Sequence, residues 1–208
     1  MTILYGYIFY YFSSLIGISV GYHRYFTHKS FSTPIFVEYL MLFLGLVCGG
    51  RSALTWAAVH RIHHSKSDTS EDPHSPIYKG AWKVLTSKWN VDYIPRKYIS
   101  DLLKNKRMIF FHRYGKYIHL IYAIVMLAVS LEVFVIFVVM PYLLSWIGFG
   151  MLNYFAHKNG APVDVPILNF IAPGEGWHNT HHKNPRATKL HRYDIAGWTI
   201  DLLQISKH

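Results

Sequence analysis

Residues 118–157 run for forty positions with one acid, Glu132, two histidines, and no lysine or arginine. A helix needs roughly 20 apolar residues to cross the hydrocarbon core of a bilayer, so a run of this length is two spans rather than one. Proline breaks a helix readily, because it lacks an amide proton and its ring crowds the preceding turn. The run is therefore expected to fold back as a hairpin at Pro141, with spans over about 118–138 and 141–157. The stretch "ILYGYIFYYFSSLIGISVGY", residues 3–22, has no charge and makes a third span within 1–22. It is not expected to be a secretory signal peptide, since no basic residue precedes it and no small-residue cleavage site follows. A composition 51% hydrophobic and 17% aromatic fits an all-α integral membrane protein better than a soluble domain of this length.

Charge orients the spans. All 21 lysines and arginines lie outside them, thirteen between Arg51 and Lys116 and six from Lys158 onward. Basic loops favour the cytoplasmic side, which makes 51–117 and 158–208 a cytoplasmic helical cap and puts the amino terminus outside. Residues 34–50 are apolar but contain Glu38 and end in a glycine pair. Both flanks of this stretch need the same side, so it reads as a re-entrant or interfacial helix. The whole chain, 1–208, is expected to be one domain. Its net charge of +10 points to anionic lipid headgroups or an anionic substrate. Nucleic acid is not an expected partner, because the basic residues go with membrane ends and histidine clusters, not with a separate basic module. The single cysteine, Cys48, excludes an intrachain disulfide and reads as a small core residue.

Fourteen histidines are clustered rather than scattered. "HRIHH" sets His60, His63 and His64 at i, i+3 and i+4, neighbours on a helix, and "HNTHH" repeats the spacing at His178, His181 and His182. "HRYFTH" adds His23 and His28, and "NYFAH" adds Asn153 and His157. Imidazole suits iron, copper, zinc and nickel. Nine such ligands exceed what one ion accepts and suit two ions with four or five each. The paired Glu-x-x-His motifs of ferritin-like di-iron bundles are absent. His112, His119, His191 and His208 stand alone and read as ordinary polar residues, and His74 as part of a loop or a support for the clusters.

In order and at compatible spacing, "GYHRYFTHKSF", "WAAVHRIHHSKSDTSEDPHSP", "NYFAH" and "GEGWHNTHH" resemble the membrane-bound fatty acyl desaturases of the acyl-CoA desaturase type. The resemblance implies a non-haem di-iron site whose ligands are His23, His28, His60, His63, His64, His157, His178, His181 and His182. It also implies that Asn153 meets one iron through a water. O2 is then the co-substrate, and a cis double bond in a long-chain acyl group is the product. Zinc is a competitor in overexpressed protein, since affinity does not strictly select iron. The acyl carrier is left open among acyl-CoA, acyl-ACP and acyl lipid. A separate donor, cytochrome b5-like or ferredoxin-like, supplies electrons, since no haem or flavin module is visible.

Asp68, Asp72 and Glu175 beside the boxes are candidates to fix the histidine rings from behind, the alternative being solvated loop acids. Trp56 matches a tryptophan lining the acyl tunnel, although an aromatic at a membrane edge also serves as an anchor. Tyr11 matches a position that closes the tunnel's far end. Gly50 and Phe149 stand where animal members hold the tunnel bend, so the double-bond position is not carried over. The family has four spans with both termini inside; this chain begins at what resembles the second. One helix is then missing, or is supplied by a neighbouring chain in a homo-oligomer. The competing readings are a lipid hydroxylase of the same histidine-box superfamily and a membrane metal-binding protein without enzymatic activity. The latter is disfavoured by spans that offer few ionisable residues besides Glu132.

Overall fold

In the computed structural model, which describes residues 2–205, the uncharged amino-terminal run folds as one long helix. This helix, α1, is α-helical over Thr2–Ser13 and continues in wider π-helical turns over Ser14–Thr27. It thus runs past the expected end of the span and carries His23 within it. The next helix, α2, covers Ile35–Gly45 and the π-helical Leu46–Gly50, then bends by 75° into α3, Ala53–Lys66. Gly49, with φ of +92°, makes the bend possible. Ser52 then caps α3 by accepting from the Thr55 amide at 3.4 Å. Glu38 near the start of α2 is buried and accepts from Tyr25 and Arg107, which explains how an acid is tolerated in this apolar run.

Helices α1 and α2 approach closely because of small residues. A Cβ on Gly17 would lie 2.1 Å from the Gly45 amide nitrogen, and one on Gly21 would lie 2.7 Å from Met41 Cβ. Glycines four apart on one face allow the two backbones this close approach. Around them Val20, Tyr22, Met41, Leu42 and Ala57 form the main core.

The forty-residue run does fold back, but not at Pro141. Helix α6, Lys106–Val129, ends at Ser130, whose extended backbone and side chain, accepting from the Val133 amide at 3.0 Å, begin a new helix. This is α7, continuous from Leu131 to Phe155. Glu132 lies in its first turn, where the helix dipole favours an acid. Pro141 sits inside α7 because the preceding turns, Val135–Val139, are π-helical. The Phe137 carbonyl, which Pro141 cannot serve in an α-helix, accepts instead from the Tyr122 hydroxyl at 2.9 Å. The expected span 118–138 is therefore divided between the end of α6 and the start of α7. Two helices, Ile3–Thr27 and Leu131–Phe155, are long and apolar enough to cross a membrane, and the bent α2–α3 pair makes a third if it is one span. At about 37 Å, α7 exceeds the roughly 30 Å of a bilayer core.

Short helices α4, Pro76–Lys79, and α5, Ala81–Leu85, follow α3; α8, His178–Lys183, and α9, Ile195–Leu203, follow α7. No strand occurs among the described residues. The carboxyl-terminal segment is laced to α1. Tyr7 donates to the Phe170 carbonyl at 2.7 Å, Tyr10 to that of Ile171 and Ser19 to that of Pro173. Arg24 donates to the Gly174 carbonyl at 2.9 Å and makes a paired contact with Asp194 at 2.7 and 3.1 Å, both residues being fully buried. Arg61, on α3, clamps Asp101 at 2.6 and 3.1 Å and the Thr27 carbonyl at 3.0 Å. These two arginines bring α1, α3 and the tail to one place.

Candidate metal centre

That place is where the nine histidines meet. They divide into two sets: His23, His28, His60, His64 and His181, and His63, His157, His178 and His182, with the ligand atoms of each set within 4.8 Å of one another. The division interlaces two helices. From α3, His60 and His64 enter the first set and His63 the second; from α8, His178 and His182 enter the second and His181 the first. Residues i and i+4 share a helical face, and the residue at i+3 stands slightly to one side of it, so each HxxHH box turns a pair to one set and a single ring to the other.

Neighbouring Nε2 atoms are close. His23 lies 2.8 Å from His181, His181 2.9 Å from His64, and His64 3.0 Å from His60. In the second set His157 lies 2.8 Å from His178, and His182 lies 3.2 Å from both His178 and His63. Ligands at right angles around an ion at about 2.1 Å stand about 3 Å apart, which is the observed spacing.

The other ring nitrogens decide what these contacts are. His23 Nδ1 lies 2.8 Å from Glu175, His63 Nδ1 3.0 Å from Asp72, and His157 Nδ1 2.9 Å from Asp68. A carboxylate only accepts, so each Nδ1 carries the proton and each Nε2 presents a lone pair inward. Lone pairs aimed at one another at this distance repel unless a cation lies between them. His28 Nε2 is buried without a hydrogen-bond partner, as expected of a ligand atom. The residues present thus fit a pair of metal ions. Burial, and then the crowding of other imidazoles, lowers the pKa of His28, His178 and His181, and brings His182 to about 3. These rings are therefore neutral near pH 7, the form that ligates.

Each of the three acids named from the sequence thus lies against one of these rings. His74 joins them: its ring lies 4.2 Å from that of His63, and its ligand atom groups with those of His63 and Asp72. Burial lowers its pKa to about 4, against the pull of Asp72. Asn153 is partly buried on α7, four residues before His157. His112 is satisfied by Ser52 Oγ at 2.7 Å, His191 stacks on Trp177, and His119 sits on α6; none joins either set, and His208 lies outside the described residues. Sequence reasoning missed Asp164, which accepts from the Thr180 amide and hydroxyl at 3.1 and 2.9 Å and so caps α8. An acid this far upstream of a helix leaves no local capping signal. It also missed Arg24 and Asp194.

On the helix side of the sets, Trp56 stacks on His60 with centroids 4.8 Å apart and packs with Phe149 against Tyr10, Ile18 and Cys48. Cys48 is a buried core residue, as expected. Tyr11 packs in the main core cluster, which Trp56 also borders, and its neighbour Tyr10 packs in the cluster that Trp56 and Phe149 border. Gly50 lies against Tyr22 and Ile18.

Residues 1–197 match the sequence profile of the family described as fatty acid desaturase. The chain is 30% identical to the sn-1 stearoyl-lipid 9-desaturase of Anabaena variabilis, covering 94% of this chain and 75% of that protein. It is 29% identical to the acyl-CoA C20 Delta5-desaturase of Anemone leveillei and to the Delta-9 acyl-lipid desaturase 2 of Arabidopsis thaliana. In both cases 90% of this chain is covered, but it spans only 64% of the relative, a little under two thirds.

Proposed function

The chain belongs to the fatty acid desaturase family of enzymes, and from that premise we propose that it inserts a cis double bond into a long-chain fatty acyl group in an O2-dependent reaction. In this reading one domain spans the chain. His23, His28, His60, His64 and His181 hold one iron, and His63, His157, His178 and His182 the other, with Asn153 reaching the second through a water. The observation that carries the reading is the convergence of nine imidazoles in two adjacent sets, with three of the rings held from behind by carboxylates. Bound there, two irons would supply the oxidising chemistry that unactivated methylenes require.

The chain's own residues do the rest. Glu175, Asp72 and Asp68 lock the tautomers of His23, His63 and His157, so that none of these three rings has to reorient when an ion binds. The acyl chain lies along the apolar wall of Trp56, Phe149, Tyr10 and Ile18, with the target methylenes beside His60. Burial of His63, His157, His178 and His181 keeps bulk water from the reacting carbons. The helices α1 and α7 cross the membrane, the apolar end of α6 carries the chain back between them, α2 is re-entrant, and the basic segments hold the cage at the cytoplasmic edge. The relatives act on acyl lipids and on acyl-CoA, and both are candidate carriers here.

The test is expression in a host that provides an electron donor, followed by mass spectrometry of total fatty acids. New monoenes are expected, absent with His181→Ala. Hydroxy acids in their place would assign the chain to the hydroxylases. Unchanged lipids from protein carrying two irons would overturn the reading.

A further inference from the structure

The end of α8 and the segment after it carry Lys183, Arg186, Lys189 and Arg192 within ten residues, all exposed and with no acid between them. Lys189 pairs with Asp201 at 2.6 Å, while the other three make no ion pair among the described residues. Thr180, Lys183, Asn184, Arg186 and Lys189 line an open cavity of about 550 Å³. In the same part of the chain the rings of Trp177 and His191 stack, with centroids 3.8 Å apart and planes inclined by 25°. His191 lies 5.5 Å, ring to ring, from Tyr193, which is 61% exposed. Trp177 is bonded through the backbone to His178, a member of the four-histidine set. A line of rings therefore runs from a basic surface to a residue of the cage. Trp177 is not there as a polar anchor, since its indole nitrogen is buried without a partner.

Electron counting gives this line a task. Converting two methylenes to a double bond releases two hydrogens, that is, two electrons and two protons. Reducing O2 to two waters consumes four of each, so two electrons and two protons must arrive from outside in every turnover. The apolar wall of Trp56 and Phe149 occupies the helix side of the cage, which leaves the tail side for a soluble reductant. Electron-transfer encounters bury little surface, less than about 1,200 Å², and rely on charge for their approach.

We propose that the Lys183–Arg192 rim receives the acidic face of a reduced one-electron carrier protein, and that the Trp177–His191 stack is where its electrons enter. This rests on the two-iron reading above. A protein partner fits better than a lipid surface because anionic headgroups would use the charge but leave the stacked rings without a role.

The experiment uses the full chain, iron-loaded in zwitterionic nanodiscs, with two probes: a soluble plant-type ferredoxin and the soluble domain of a b5-type cytochrome. Association is measured by biolayer interferometry against ionic strength, probe oxidation by stopped-flow absorbance, and metal by elemental analysis. Reduction by dithionite bypasses docking. The double variant Arg186→Glu/Arg192→Glu should bind at least one probe roughly tenfold more weakly at low salt, with a flattened salt dependence. Its iron content and dithionite reduction should match the unmodified chain. Trp177→Leu should keep association but slow probe oxidation at least tenfold, and Trp177→Phe, which retains a ring, should recover most of the rate. The proposal is overturned if the charge variant binds both probes like the unmodified chain, if it loses binding only to anionic vesicles, or if Trp177→Leu leaves probe oxidation unchanged. A chain without iron would sink the two-iron reading, while the association measurement would still judge the rim.

Discussion

Replacing Glu175 tests whether the acids behind the rings matter to the cage. The bond from His23 Nδ1 to Glu175 spans 2.8 Å, with the side chains 1% and 5% exposed. A hydrogen bond to a charged group contributes about 1.5–3 kcal/mol, which is roughly a tenfold to 150-fold change in an equilibrium constant. Loss of an outer partner of a metal-ligating histidine costs about 10–100-fold in metal affinity, so the two estimates agree. Glu175→Gln keeps an accepting oxygen but loses the charge, and should sit near tenfold. Glu175→Ala removes both and leaves His23 free to turn or change tautomer, so it should approach a hundredfold. The assay is competition with a calibrated chelator, scored by elemental analysis of the protein after gel filtration, with helicity by circular dichroism as the control for folding. Unchanged half-stripping concentrations for both variants would refute the argument that this carboxylate orients a ligand. So would a larger loss for Gln than for Ala.

Four other perturbations follow from the fold. Asp194→Ala strands the buried Arg24 charge and should cost about 3–5 kcal/mol, read as a large fall in thermal stability by fluorescence-detected size exclusion. Gly17→Leu drives a side chain into the Gly45 backbone and should cost about 1–3 kcal/mol or more, with a lower melting temperature, whereas His112→Ala should leave metal content and product unchanged. Burial alone would raise the pKa of Asp101, but Arg61 and Lys29 beside it hold the carboxyl below its ordinary 3.8. A lowered folded pKa contributes stability above the unfolded value, and that contribution is lost as pH falls through the folded one. The melting-temperature gap between the unmodified chain and Asp101→Asn should therefore be full at pH 7 and shrink below about pH 4.

Much of the site is legible in the sequence because its donors are rare residue types at helical spacing. The nine histidines and the acids Asp68, Asp72 and Glu175 could all be named, since each stands in or next to a box. How the nine divide could not, because His60 and His63 differ only in angle around α3, and that angle gains meaning once α8 lies opposite. The tail returns to the helices, and the tie that returns it joins Arg24 to Asp194 across 170 positions. Nothing local marks such a pair. The hairpin was legible and its corner was not: proline is the usual breaker, yet a π-helical turn and the Tyr122 hydroxyl absorb the cost here, and an ordinary serine cap at Ser130 makes the corner. Tyr10 and Tyr11 differ by one position in an apolar helix, and only the packing of α1 against its neighbours separates them.

The interlacing of α3 and α8 has a consequence for how the enzyme matures. Because each helix gives ligands to both sets, an ion held in one set stiffens both helices and prepares the other set before a second ion arrives. If two ions fill these sets, loading should be cooperative and the half-filled protein a scarce species. A stepwise metal titration followed by native mass spectrometry would pass from empty to doubly filled chains with little between. A defect behind a single ring, such as the loss of Glu175, would be felt as the release of both ions.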